Sequence, residues 1–168
     1  CYLYWAHTAP ADVVAKIVVD SQRGNPEPVN GIEKILVDSQ LSDSDIHTLA
    51  ALLAEKHLQA KEFPAPIIAE AVPEEADLWQ EAQLDRTVLI ARVADLSSGV
   101  ALINQYSSGH ADCIVTNSYQ ESVQFANQVR SASVYINASP RFQRNAAQAS
   151  AIALGMSAQR GIKGGRIT

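Results

Sequence analysis

Few side chains in this sequence could do covalent or acid–base chemistry, and they are widely spaced. The chain has 2 cysteines, Cys1 and Cys113, and 4 histidines, at positions 7, 47, 57 and 110. A cysteine thiolate is a nucleophile and a histidine can serve as its base, provided that the two lie within hydrogen-bond reach. Neither CxxC nor a Cys/His ligand spacing occurs, so we predict no metal site and no disulfide framework.

A small set of polar residues could line a substrate cleft. The candidates are Asn30, His110, Asn137, Ser139 and Arg141. An arginine can hold an anion and a histidine can act as a general base, but each also has an ordinary structural interpretation. Asn30 can be a turn residue, His110 can bond nearby backbone, and Arg141 can pair with Asp112.

The elements that would position these residues are strands alternating with helices. Strands are predicted at Tyr2–Trp5, Lys34–Val37, Ile67–Val72, Thr87–Val93, Asp112–Thr116 and Ser133–Ile136. Cys113 falls inside one of them, where a small buried thiol is expected. A turn is predicted at Pro73–Glu75. The alternation predicts an α/β fold in three layers, with a mostly parallel sheet covered by helices on both faces.

Helix starts are marked by capping residues. The first helix is predicted over Ala11–Asp20, and Ser42 with Asp45 predicts a second that runs to about His57. Asp95 can cap a helix with the apolar face Leu96, Val100 and Ile103. Ser118 with Glu121 opens a further helix, for which we predict the inner face Tyr119, Val123, Ala126 and Val129.

Composition fits one compact domain. Hydrophobic residues make up 47% and charged residues 18% of the 168 residues, which argues against disorder. A net charge of -5 disfavours nucleic acid as a partner. No apolar run is long enough to span a bilayer and the first residues do not read as a secretory signal, so we expect no membrane association. We expect an intracellular location, in the cytoplasm rather than in mitochondria.

Four segments of the chain are similar to segments of one known enzyme family. Residues 107–116 read SSGHADCIVT, where the family has a very similar SGHSDAIVT segment. Residues 129–142 read VRSASVYINASPRF, close to the family's VDSAAVYVNASTRF. Residues 26–33 resemble the family's nucleophile loop, and residues 1–4 resemble the first strand of its catalytic subdomain. The chain thus resembles γ-glutamyl phosphate reductase, also called glutamate-5-semialdehyde dehydrogenase, a branch of the aldehyde dehydrogenases. The resemblance implies a fold like the catalytic subdomain of that family.

The resemblance also implies a lost nucleophile. Val29 aligns with the catalytic cysteine, and an isopropyl group cannot attack a carbonyl. Glu81 aligns with the glutamate that contacts the cofactor ribose, and we expect it to be vestigial because the glycine-bearing cofactor domain has no counterpart here. We therefore expect no cofactor.

The segment after Phe142 departs furthest from the family. Alanines stand where the reductases have the glycines of a TDGGQFGLGAE run, which predicts a helix over Asn145–Met156 in place of an open loop. Residues 161–168 are basic and glycine-rich and are predicted to be a flexible or partner-ordered tail. Residues 1–160 are predicted to form the single subdomain.

These observations predict a pseudoenzyme, an aldehyde dehydrogenase-like domain with a structural or protein-interaction role, and not an enzyme. The expected partner is a protein, bound as a homo-oligomer or hetero-complex through the former cofactor-domain interface. The alternative is residual small-molecule binding, or NADP-dependent reductase-like activity, at the old cleft.

Overall fold

A computed structural model describes residues 1–23, 30–63 and 86–141. Its centre is a parallel sheet of six strands in the order β3-β4-β2-β1-β5-β6. The strands are β1 (Tyr2–Trp5), β2 (Lys34–Asp38), β3 (Gln59–Glu62), β4 (Thr87–Val93), β5 (Ala111–Val115) and β6 (Ser133–Ile136). β1 and β2 are buried along their whole length, as expected of central strands covered on both faces.

Four helices connect the described strands: α1 (Ala11–Ser21), α2 (Asp43–Ala54), α3 (Leu96–Tyr106) and α4 (Tyr119–Gln128). Three begin at the predicted caps. Ser42 and Asp45 form a reciprocal capping box, and Asp95 and Ser118 each accept a hydrogen bond from the backbone N–H three residues ahead. The predicted α/β class is confirmed. No helix among the described residues is long and apolar enough to cross a membrane.

The sheet separates two hydrophobic cores because successive side chains of a strand point to opposite faces. Leu3 and Trp5 of β1 join the core beneath α1 and α2. Tyr2 and Tyr4 join the core beneath α3 and α4. Gly99 of α3 permits this second packing: a Cβ there would lie 2.6 Å from the ring carbon Cδ2 of Tyr4.

The structure corrects two sequence-based expectations. Strand β3 was not predicted, because Gln59–Glu62 is short, polar and largely exposed at the edge of the sheet. The inner face predicted for α4 was partly wrong: Tyr119 is 84% and Val123 is 39% exposed, whereas Phe125 is fully buried. Helical spacing identified a line of apolar residues along α4, but the side of the helix that packs against the sheet is the one that carries Phe125.

Four predictions fall outside the described residues: the strand at Ile67–Val72, the turn at Pro73–Glu75, the helix at Asn145–Met156 and the tail at 161–168. They remain predictions.

Candidate functional site

The chain that follows position 29 is held at the amino ends of the strands by the last turn of α1. Ile32 N–H donates to Ser21 Oγ at 3.0 Å, and Gln22 Nε2 donates to the Ile32 carbonyl at 2.8 Å. Glu33 N–H donates to the Cys1 carbonyl at 3.2 Å. These bonds fix the entry into β2, and Asn30 at its start is buried. Val29 itself lies outside the described residues.

A buried carboxylate organises the same end of the sheet beside His110. Asp112 is fully buried; its Oδ1 accepts from Tyr2 N–H at 2.8 Å, and its Oδ2 accepts from the hydroxyls of Ser107, at 2.6 Å, and Ser131. Desolvation raises the pKa of the Asp112 carboxyl, and the two serine hydroxyls oppose that rise. The carboxylate joins β1 to the loops that precede β5 and β6.

His110 lies in the loop immediately before β5. Its carbonyl accepts from Ser133 N–H at 3.0 Å, and the preceding Gly109, at φ 72°, accepts from Ala132 N–H at 2.9 Å. The positive φ is tolerated because residue 109 is glycine. The loop backbone is therefore fixed by β6, and the His110 side chain is half-buried at the amino end of the sheet.

Arg141 lies near the last turn of α1, the same turn that holds the chain after position 29. Its Nη1 lies 3.5 Å from Asp20 Oδ1, in the last turn of α1, and its N–H donates to Ser139 Oγ at 3.2 Å. The pair is partly exposed. Asp20 thus takes the place of Asp112, which was the partner suggested by sequence, because Asp112 is enclosed by its own three donors.

Asn137 lies at the opposite, carboxyl end of the sheet, just beyond β6. The backbone of Asn137 has a φ of 52°. Its side-chain amide bonds both backbone groups of Thr116: Oδ1 accepts from Thr116 N–H and Nδ2 donates to the Thr116 carbonyl, each at 2.9 Å. The bridge extends the β5–β6 pairing with a side chain. The predicted cleft residues therefore do not gather at one point, since Asn30 and His110 lie at the other end.

A polar group at the carboxyl ends of β1 and β2 was missed from sequence. Asp38 Oδ2 accepts from Tyr4 Oη at 2.7 Å and lies 3.7 Å from His7 Nδ1, while Oδ1 accepts from Gln40 N–H at 2.8 Å. Burial and the bond to Asp38 raise the pKa of the Tyr4 phenol. The available signal was that β1 and β2 are consecutive parallel strands, whose carboxyl ends must be neighbours.

Comparison with known proteins places this arrangement in a family. The model of the Aldehyde dehydrogenase family matches residues 32–151. The chain belongs to the aldehyde dehydrogenase family. It is 40% identical over 175 residues to Gamma-glutamyl phosphate reductase 2 of Synechocystis sp., an alignment that covers 99% of this chain and 40% of that protein. It is 34% identical to Gamma-glutamyl phosphate reductase of Acaryochloris marina, covering 95% of this chain and 37% of the relative.

The solved structures of this aldehyde dehydrogenase family share the fold. The crystal structure of Gamma-glutamyl phosphate reductase from Thermotoga maritima matches with a TM-score of 0.72 at 24% identity, over 84% of this chain and 35% of that one. The resemblance read from the sequence is confirmed. The chain spans about 40% or less of the length of these relatives.

The two cysteines of this aldehyde dehydrogenase family chain are buried thiols. Cys1 and Cys113 are free, and their Sγ atoms lie 3.9 Å apart in the core beneath α1 and α2. Burial raises the pKa of the Cys113 thiol, which disfavours the nucleophilic thiolate. The prediction that Cys113 is an ordinary core thiol is consistent with this position.

Possible metal ligands, the side chains of His, Cys, Asp and Glu, occur among residues 1–23, 30–63 and 86–141. No group of three or more His, Cys, Asp or Glu side chains there could hold a metal ion. Glu81, the vestigial cofactor candidate, lies outside the described residues.

Proposed function

We propose that this segment of the aldehyde dehydrogenase family performs no thiol-dependent acyl chemistry and acts as a pseudoenzyme, a structural or protein-interaction domain. The observation that carries the proposal is Val29 in the position of the catalytic cysteine. Valine has no lone pair with which to form a thioester, and covalent catalysis of this kind needs one.

The described residues offer no substitute thiol. Cys1 and Cys113 are buried in the core, and the raised pKa of Cys113 keeps it protonated at neutral pH. The bonds from Ser21 and Gln22 to Ile32 keep the entry into β2 ordered. The described chain that follows position 29 therefore keeps an ordered scaffold, which fits a domain that is retained for its fold.

A domain that keeps its fold without its nucleophile can serve through its surface. We propose that it binds a protein partner, which is either a second copy of this chain or a different protein. The different protein could be an active homologue that this domain regulates. The free, buried thiols also fit our proposal that it works in a reducing, intracellular compartment.

The direct test is to restore the thiol. In wild-type protein under native conditions, iodoacetamide should add nothing, since both cysteines are buried. Val29→Cys should add one adduct at position 29, detected by intact mass and peptide mapping, with Val29→Ala as the matched control. Alkylation of native Cys1 or Cys113 at the rate of a free thiol would contradict the proposal.

Turnover provides the second arm. We expect neither wild-type protein nor Val29→Cys to oxidise glutamate-5-semialdehyde with NAD or NADP, because a hydride acceptor must be held beside the thiol. Wild-type turnover that is lost in His110→Ala would overturn the proposal.

The alternative is NADP-dependent γ-glutamyl phosphate reductase-like activity, favoured by the 40% identity over 99% of the chain. The longest natural protein that contains this segment should be assayed for it. Turnover of substrate by that longer protein, while its wild-type cysteines do not react with iodoacetamide, would assign catalysis to residues other than cysteine. Such a result would support residual activity at the substrate cleft.

A further inference from the structure

The two cysteine thiols of this chain touch each other inside the protein. Cys1 precedes β1 and Cys113 lies in the middle of β5, yet their Sγ atoms are only 3.9 Å apart. Both thiols are free and lie in the core beneath α1 and α2. The proposed partner-binding role uses neither of them. Two thiols in contact are the reactants of an intramolecular disulfide.

The two thiols differ in how easily an oxidant reaches them. Cys1 is 9% exposed, whereas Cys113 is completely buried. Burial also raises the pKa of the Cys113 thiol, so Cys113 is the less reactive sulfur toward an oxidant. Hydrogen peroxide is little larger than water and enters where iodoacetamide does not fit. Cys1 is therefore the sulfur that is oxidised first, and Cys113 is placed to react with it.

The strand register decides which cysteine moves when the gap closes. In the parallel pairing of β1 with β5, Leu3 lies opposite Cys113, so Cys1 is two positions away from direct pairing. A disulfide bond is about 2.05 Å long, so the sulfur atoms must approach by roughly 2 Å. Cys113 is held between β1 and β6, whereas Cys1 lies before β1. Closure therefore draws Cys1 toward β5.

Cys1 also holds the chain that enters β2. Its carbonyl accepts from Glu33 N–H at 3.2 Å. β1 lies between β2 and β5 in the sheet, so a movement of Cys1 toward β5 is a movement away from β2. A length of 3.2 Å is already at the long end of the range for N–H···O bonds, so this bond breaks if Cys1 withdraws. The thiols and the entry into β2 are thus linked through one residue.

We propose that Cys1 and Cys113 form an oxidation site, at which a reversible disulfide releases the entry into β2 from β1. The Cys1 thiolate attacks one oxygen of hydrogen peroxide and the O–O bond breaks, which gives Cys1 sulfenic acid and a hydroxide that takes up the thiol proton. The Cys113 sulfur then attacks the Cys1 sulfur, the S–O bond breaks, and water leaves with the Cys113 proton.

The atoms and electrons of this step balance. Two thiols lose two electrons and two protons, and one peroxide becomes two waters. A dithiol reductant reverses the step by thiol–disulfide exchange. The pair therefore stays reduced in a reducing compartment and responds when peroxide accumulates.

The released segment lies at the amino end of the sheet, where Asn30 and His110 are found. After release, the bonds that Ser21 and Gln22 make to Ile32 still hold this segment to α1. Oxidation therefore loosens one of its two attachments without unfolding it. This changes the surface at that end of the sheet, and it does so whether or not the chain has lost catalysis.

Intact mass identifies the oxidised chain. After the full chain is exposed to hydrogen peroxide, its mass should fall by two hydrogen atoms, peptide mapping should join Cys1 to Cys113, and dithiothreitol should restore the original mass. Cys113→Ala should stop at Cys1 sulfenic acid, which dimedone traps. Cys1→Ala is the matched control and should not react, because its remaining thiol is completely buried. Disulfide-linked dimers, or Cys1 carrying two or three oxygens in place of the internal bond, would overturn the proposal.

Amide exchange tests the release in the wild-type chain, without any variant. Exchange at Glu33 should be roughly five- to tenfold faster in the oxidised form, since one backbone hydrogen bond is lost. The internal control is Leu41 N–H, which donates to the Asp38 carbonyl at the opposite end of the sheet and should not exchange faster. The oxidised chain should also unfold at higher urea concentration, because a link between residues 1 and 113 restricts the unfolded chain. Equal or slower exchange at Glu33 after oxidation would overturn the proposed release.

Discussion

The two ends of the sheet keep their polar residues in different ways. At the amino ends, Asp112 is fully buried and bonded to one backbone N–H and two serine hydroxyls. At the carboxyl ends, Asp38 serves Tyr4 and Gln40 and also meets His7, whose side chain is 37% exposed. Both carboxylates are buried, but Asp112 contacts only structural donors, whereas Asp38 lies beside a histidine that reaches the surface. A polar residue in a family motif can therefore be retained for architecture alone.

The largest effect should come from removing the enclosed carboxylate. Asp112→Ala leaves three buried donors unsatisfied, each costing about 1–3 kcal/mol, so the free energy of unfolding should fall by at least about 3 kcal/mol. Urea denaturation followed by circular dichroism measures it. Asp38→Ala serves as the comparison at the other end, and an equal or larger loss there would break the contrast.

The next effect concerns the fit of Tyr4 against α3. Gly99→Ala would place a methyl carbon 2.6 Å from the Tyr4 ring, which Asp38 holds in position, and should cost about 1–3 kcal/mol by overpacking. The double variant with Tyr4→Leu should recover part of that loss. Additive effects would show that the ring can move away freely and that Asp38 does not fix it.

The pH dependence sharpens the same comparison. Because the folded-state pKa of Asp112 is raised, the native state binds its proton more tightly than the unfolded chain. Stability contributed by this group should fall as pH rises from the ordinary aspartate pKa through the raised one, by about 1.4 kcal/mol per pH unit. The difference between wild type and Asp112→Asn isolates it, and a flat difference curve would refute the raised pKa.

The smallest effect should follow loss of a helix cap. Ser118→Ala removes the acceptor for Glu121 N–H and should cost about 1 kcal/mol in thermal or urea unfolding. Ser118→Gly should lower the free energy of unfolding by only about a few tenths of a kcal/mol, because glycine is itself tolerated at this position. A loss as large as that of Asp112→Ala would mean that α4 carries more of the fold than its single fully buried side chain, Phe125, suggests.

Local signals in the sequence predicted most of the fold. Strands β1, β4 and β6 follow from short runs rich in aliphatic, aromatic and β-branched residues, and three helix caps follow from Ser or Asp at the start of a helical pattern. β3 escaped because edge strands are short and polar. The buried face of α4 was predicted wrongly in part. Helical spacing identifies apolar residues on one side of a helix, but it does not show which of two adjacent sides packs against the sheet.

The site could be predicted only in part, because contacts across the sheet have no local signal. The pairing of Arg141 with Asp20 spans 121 residues, and the bond between Asp112 and Tyr2 spans 110. Sequence identified Asn30, His110 and Asn137 as candidates, but not that strand direction places Asn137 at the end opposite the other two.

The position of β1 has a consequence for synthesis of the chain. β1 lies in the interior of the sheet, yet one of its two neighbours, β5, is made about 110 residues later. Until β5 has left the ribosome, the β5-facing side of β1 has no partner strand, and Tyr4 and Trp5, among the largest fully buried side chains, lack part of their cover. Folding that depends on such distant pairing is slow and exposes strand edges, so a nascent chain of this protein should be a substrate for chaperones that shield apolar strands.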